Sequence, residues 1–90
     1  MAIRTLESIE ETLKEYVLAE ASRRGVPLED IGRDEDFMER HLFDSLSLLD
    51  FVLYLEQVAG VKIPGEDVVP ENLGSLGAIT RYLGETFELR

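Results

Sequence analysis

No cysteine occurs in the 90 residues. The fold therefore holds no disulfide, which suits the cytosol, and any thiol chemistry needs an added group. Basic residues are scarce: nine Lys and Arg stand against nineteen Asp and Glu, for a net charge of −10. This balance argues against a nucleic-acid backbone as partner, because phosphate contacts take clustered Lys and Arg. An anionic membrane surface is disfavoured for the same reason, and a basic protein surface is the natural complement. Long apolar runs are missing too. The densest, Leu46 to Leu55, is about half the length needed to span a bilayer. Met1-Ala2-Ile3-Arg4-Thr5 lacks the apolar core of a signal peptide. Histidine occurs once, as His41, so every serine–histidine mechanism has to use it. The expectation is a soluble, cytoplasmic chain forming one domain over residues 1–90, with a modest core.

What is present is helical periodicity. Leu6, Ile9, Leu13, Tyr16 and Val17 recur at helical spacing among Glu7, Glu10, Glu11 and Glu15. This predicts a first helix over residues 5–24, capped by Thr5 or by Ser8, the latter with Glu11 as a capping box. Gly25 and Pro27 end it, with Arg23 and Arg24 at the negative end of the helix dipole. Residues 25–43 read as a long loop with short helical turns, pinned to the core by Val26, Leu28, Ile31, Phe37, Leu42 and Phe43. Asp30, Asp34, Glu35 and Asp36 lack the glycine and terminal glutamate of a calcium loop, so they read as a solvated acidic stretch and no metal site is expected.

A second helix is predicted from Ser45 to about Ala59, with Gly60 as its cap. Only Ser47 and Asp50 are polar between Leu46 and Leu55, so the segment is apolar nearly all round. Phe51, Val52 and Leu55 are expected in the core; Leu46, Leu49 and Leu53 are either covered by loops or presented to a partner. Val61-Lys62-Ile63-Pro64 reads as an extended link, and Glu66 to Val69 as one helical turn. Ser75 caps a last helix carrying Leu76, Ile79, Leu83 and Phe87, whose final turn Gly84 weakens. The predicted architecture is all-α: a small four-helix bundle of three main helices and a short third one.

Chemistry concentrates at Asp44-Ser45-Leu46. Asp44 is a good N-cap, which puts Ser45 in the first turn with its hydroxyl toward water, where unpaired N–H groups and the dipole suit an attached anion. The run resembles the attachment motif of acyl carrier proteins. Phe37-Met38-Glu39-Arg40-His41-Leu42-Phe43 resembles the turn before the serine in that family, and Pro70-Glu71-Asn72-Leu73 resembles the approach to its last helix. The resemblance covers about Phe37 to Leu83. It implies a bundle of acyl-carrier type with 4′-phosphopantetheine on Ser45, moved there from coenzyme A by a phosphopantetheinyl transferase whose magnesium ion Asp44 helps to bind. Such a chain is a carrier rather than an enzyme. It holds an acyl or aminoacyl thioester and delivers it between enzymes of a lipid, specialised-metabolite or envelope pathway.

The resemblance further implies, beside the transferase, an adenylating ligase or acyltransferase and a downstream synthase or transferase as partners of a monomer. Leu46, Leu49, Asp50, Leu53 and Glu56 are the expected partner face. Val61, Ile63 and Val68 are the apolar candidates for contact with the arm or its cargo, between the second and third helices. Carriers of fatty-acid synthesis usually present several acidic residues on the second helix, whereas this chain has Asp50 and Glu56 there. His41-Leu42-Phe43-Asp44-Ser45-Leu46 is closer to the Gly-Leu-Leu-Asp-Ser-Leu/Met pattern of D-alanyl and other aminoacyl carriers, with His41 in the glycine's place. A freestanding carrier in a specialised pathway is therefore expected. Two other readings stand beside it. Ser45 as a nucleophile with His41 as base and Asp44 or Asp50 as orienter lacks any Gly-x-Ser-x-Gly elbow. A cofactor-free interaction module would dock through the apolar face of the second helix.

Overall fold

The computed structural model describes residues 5–90; Met1 to Arg4, within the segment examined for a signal peptide, lie outside them. Helices begin and end where side chains or a left-handed residue satisfy the backbone. Helix α1 spans Leu6–Arg23. Thr5 Oγ1 accepts from the Ser8 N–H at 3.2 Å, so Thr5 is the cap and Ser8 lies inside the helix without forming the alternative box with Glu11. At its other end Gly25 takes φ 74. The Gly25 N–H then donates to Ser22 O at 3.1 Å and the Val26 N–H to Ala21 O at 2.9 Å, the two bonds of a Schellman close.

Helix α2 spans Ser45–Ala59, capped by Asp44 and closed by Gly60 at φ 70. The short third helix lies further along the chain than the expected turn at Glu66 to Val69. Residues Gly65–Asp67 form a single 3₁₀ turn, and α3 occupies Pro70–Leu73. Pro70 explains the position: it sits in the first turn, where its fixed φ suits a helix and its missing N–H loses no bond. Helix α4 spans Leu76–Phe87, with Ser75 Oγ accepting from the Ala78 N–H at 3.1 Å. It runs on through Gly84 without a break. A methyl there would stand 3.3 Å from Leu6 Cδ1, so α4 meets the start of α1 at this glycine.

The architecture is an all-α bundle in which α1 packs on α2 and α4, and α3 packs on α4. Ile9, Leu13 and Val17 of α1, Phe51 and Leu55 of α2, and Leu76, Ile79 and Leu83 of α4 form the centre, all at most 1% exposed. Each such side chain contributes about 1.5–3 kcal/mol by leaving water. The long loop adds Ile31, Phe37, Leu42 and Phe43, also buried, while Val26 and Leu28 are half-buried. Phe37 and Phe43 join Phe51 in a cluster with ring centroids 4.9–5.8 Å apart, and Tyr16 bridges Phe51 to Tyr54. The loop is also tied to the far end of the bundle. The Phe37 N–H donates to Gly74 O at 2.9 Å and the Gly77 N–H to Arg33 O at 2.8 Å.

The acidic residues of that loop serve the fold. Asp30 pairs with Lys14 at 2.7 Å, and Asp36 Oδ1 accepts from the N–H groups of Met38 and Glu39 at 2.8 and 3.1 Å. Among the described residues no group of three or more His, Cys, Asp or Glu side chains is placed to hold a metal ion. The 3₁₀ turn is latched to α4: Tyr82 Oη donates to Asp67 Oδ2 at 2.6 Å. Burial, reinforced by that bond, holds the Tyr82 phenol above its ordinary titration range. Among the described residues no helix is long and apolar enough to cross a membrane.

Candidate functional site

The site is the first turn of α2, and the aromatic cluster sets its position. Phe43, 4% exposed, stacks on Phe51 at 4.9 Å and delivers the next residue, Asp44, to the surface at the head of the helix. Asp44 and Ser47 then close a reciprocal capping box. Asp44 Oδ1 accepts from the Ser47 N–H at 2.9 Å, and the Asp44 N–H donates to Ser47 Oγ at 2.9 Å. The Ser47 hydroxyl proton points back to Asp44 Oδ1, also at 2.9 Å. These bonds from the Ser47 amide and hydroxyl, with Arg24 nearby, hold the Asp44 carboxyl below its ordinary range.

Arg24 comes from the far side of the loop. Its Nη2 donates to Ser47 Oγ at 2.7 Å and lies 3.6 Å from Asp44 Oδ2, while its Nε donates to Glu20 Oε2 at 3.0 Å. Glu20 is buried at 7% side-chain exposure and also pairs with Arg23 at 3.2 Å. The sequence reading placed Arg24 at the dipole of its own helix only. Its partners at Asp44 and Ser47 lie twenty or more residues on, and no local pattern points to them.

These contacts separate the two hydroxyls of the turn. Ser47 uses its proton and accepts two donors, which exhausts a hydroxyl. Ser45 is exposed, and its hydroxyl has no hydrogen-bond partner among the described residues. The N–H groups of Ser45 and Leu46 likewise take no backbone acceptor there, leaving two donors at the positive end of the dipole. A phosphodiester on Ser45 would sit beside both. The residues present fit an attached anionic arm.

His41 is exposed at φ 57, and its imidazole makes no hydrogen bond among the described residues. The Asp44 carboxylate faces Ser47 and Arg24 instead, and no bond links His41, Asp44 and Ser45 into a relay. Beyond the motif, α2 divides as its pattern suggests. Phe51, Val52 and Leu55 are buried, whereas Leu46, Leu49 and Leu53 are 77%, 56% and 58% exposed, with Asp50 exposed among them. Glu56 departs from the expected partner face. Its Oε2 accepts from the Ile63 N–H at 2.6 Å, so the carboxylate ties the end of α2 to the following link.

A small apolar cavity of about 90 Å³ opens one turn beyond Ser45, lined by Phe37, Met38, Leu48, Val68, Pro70 and Leu73 among others. Of the three residues expected near the arm, Val68 lines it. Val61 and Ile63 do not: Ile63 is 6% exposed in the core and Val61 packs half-buried against it, because Glu56 draws their segment inward. A larger polar cleft lies elsewhere, between the starts of α1 and α4, and holds the Arg33–Glu10 pair.

The model of the family described as phosphopantetheine attachment site matches residues 15–83, from mid-α1 to Leu83 of α4 with all of α2 inside. The chain therefore belongs to the phosphopantetheine-attachment family, that of the acyl carrier proteins, whose cofactor is covalent 4′-phosphopantetheine.

Proposed function

We propose that this chain is a carrier whose arm is esterified to Ser45 Oγ, and that it ferries an acyl or aminoacyl group between separate enzymes. The arm supplies a terminal thiol that this cysteine-free chain lacks, and there it holds cargo as a thioester. The observation that carries the reading is the contrast in the first turn of α2: the Ser47 hydroxyl is fully engaged, while Ser45 is exposed and without a partner. Two unpaired N–H groups favour the resulting phosphate at the helix head, a contribution of about 0.3–1 kcal/mol at an exposed position. So small an effect means that site choice rests on recognition by the transferase, for which Asp44, outside the aromatic cluster and 67% exposed, is the candidate contact through the transferase's magnesium ion.

The chain's own contribution is presentation. Leu46, Leu49 and Leu53, flanked by Asp50, form the face on which a loading enzyme, an adenylating ligase or acyltransferase, and a downstream synthase or transferase would dock. The apolar cavity beside Leu48 and Val68 is small, about 90 Å³.

Intact mass after co-expression with a broad-specificity transferase tests the reading. One phosphopantetheine should appear on the wild type, none on Ser45→Ala, and Ser47→Ala should remain competent though slower. Absence of any addition to the wild type would leave the alternative, a cofactor-free module docking through α2.

A further inference from the structure

We infer that Arg24 is a positioning residue for arm attachment, holding the first turn of α2 in the shape that presents Ser45. The inference rests on Ser45 being the attachment residue. In that reaction the Ser45 Oγ–phosphorus bond forms as the pyrophosphate bond of coenzyme A breaks. The nucleotide part leaves as its bisphosphate, and the hydroxyl proton passes to a base on the transferase.

The argument starts from what holds the turn. Asp44 and Ser47 cap each other, but both lie at the surface after a loop of some twenty residues, and a capping box by itself is a local device. Arg24 is the contact that fixes the box to a second helix, through Nη2 on Ser47 Oγ at 2.7 Å and near Asp44 Oδ2 at 3.6 Å. Its own position is set by Glu20, 7% exposed on α1, through Nε at 3.0 Å. The Arg24 side chain is 29% exposed, against 77% for its neighbour Arg23, so more of it lies against the Glu20 and Ser47 contacts, at a position still open to solvent. A planar fork with separate donors can hold Glu20 and Ser47 together; an ammonium on a flexible stem cannot do so in the same geometry. Ser45 lies between the two clamped residues, so the peptide carrying the reactive hydroxyl is held on both sides.

A turn ordered before encounter binds more tightly than one ordered during it, because apparent affinity falls with the fraction of molecules already in the competent shape. Loss of Arg24 should therefore raise the KM of a transferase for the carrier and leave kcat nearly alone. The experiment is steady-state arm attachment with a purified transferase and coenzyme A, read by mass, on wild type, Arg24→Gln, Arg24→Lys, Ser47→Ala and the Arg24→Gln/Ser47→Ala double variant. Circular dichroism confirms that each is folded. Arg24→Gln is expected to raise KM roughly threefold to tenfold. Arg24→Lys should restore only part of the loss, and the double variant should be no worse than the poorer single one, since both act through one contact.

An unchanged KM in folded Arg24→Gln overturns the inference, as do full recovery by lysine, which would reduce the effect to net charge, and strictly additive losses. If Arg24→Gln does not fold, Glu20→Met, which removes the acceptor that sets the guanidinium without touching the box, takes its place with the same expectations for KM and kcat. A wild type that accepts no arm at all defeats the Ser45 assignment itself, whereas a wild type modified as fast as the variants defeats only the role of Arg24.

Discussion

His41 holds the one left-handed backbone among non-glycine residues of the loop, at φ 57, in the position where the aminoacyl-carrier pattern has glycine. An L-residue in that region costs about 1–2 kcal/mol, and glycine there costs about 0.5–1 kcal/mol in extra chain entropy. His41→Gly should therefore stabilise the fold by about 0.5 kcal/mol, a rise of roughly 2–4 °C in the thermal midpoint for a domain of this size. His41→Val, with a branched Cβ, should lower it. Arm attachment should survive the glycine substitution. A drop in midpoint for His41→Gly would show that the imidazole makes stabilising contacts, and lost attachment would restore a chemical role for it. The backbone angle was invisible in the sequence, because a histidine gives no local sign of it and the turn is imposed by Leu42 and Phe43 entering the core.

At the scale of the element, α2 carries two apolar faces, one buried and one open to solvent. Its inner face of Phe51, Val52 and Leu55 holds the bundle, while Leu46, Leu49 and Leu53 stay exposed. Burying one of those leucines under a partner is worth about 1.5–3 kcal/mol, against about 0–1 kcal/mol for an exposed ion pair at Asp50. Leu49→Ala or Leu53→Ala should then impair loading by the cognate enzyme more than Asp50→Asn, while thermal stability moves by no more than about 0.5 kcal/mol. Loading that collapsed in about 1 M salt, where the Debye length is about 3 Å, would mean that charge and not apolar contact governs docking. The span, caps and inner face of α2 were readable because each depends on residues within about one turn. Glu56 was not, since its partner, the Ile63 N–H, lies past the end of the helix.

For the molecule as a whole, the net charge of −10 sets stability against pH and salt. Self-repulsion weakens as salt rises, so the thermal midpoint at pH 7 should increase on adding salt. Asp30 is held below its ordinary 3.8 by the Lys14 ammonium and the Ile31 N–H, and Asp44 by Ser47 and Arg24. A carboxyl depressed in the folded state stabilises above its unfolded value and loses that contribution as pH falls through the folded one. Tyr82, raised above 10.0, contributes below that value and loses its share as pH climbs through the folded one. The midpoint should therefore hold or rise slightly from pH 7 to about 5 as repulsion eases, then fall below about pH 4. A midpoint still rising at about pH 3 would show that repulsion outweighs these paired carboxylates.

Alone, the sequence determined the approximate spans of α1, α2 and α4, the caps of α2 and α4, the buried faces and the serine motif, because capping and amphipathic burial are settled among residues three or four positions apart. Tertiary structure decided that Arg24, just past the end of α1, reaches the Ser47 hydroxyl that the local capping box already engages. It also decided the place of α3, the inward turn of Ile63 and the size of the cavity beside Leu48. Each of these depends on groups distant in the chain that meet only once the aromatic cluster and the core have closed.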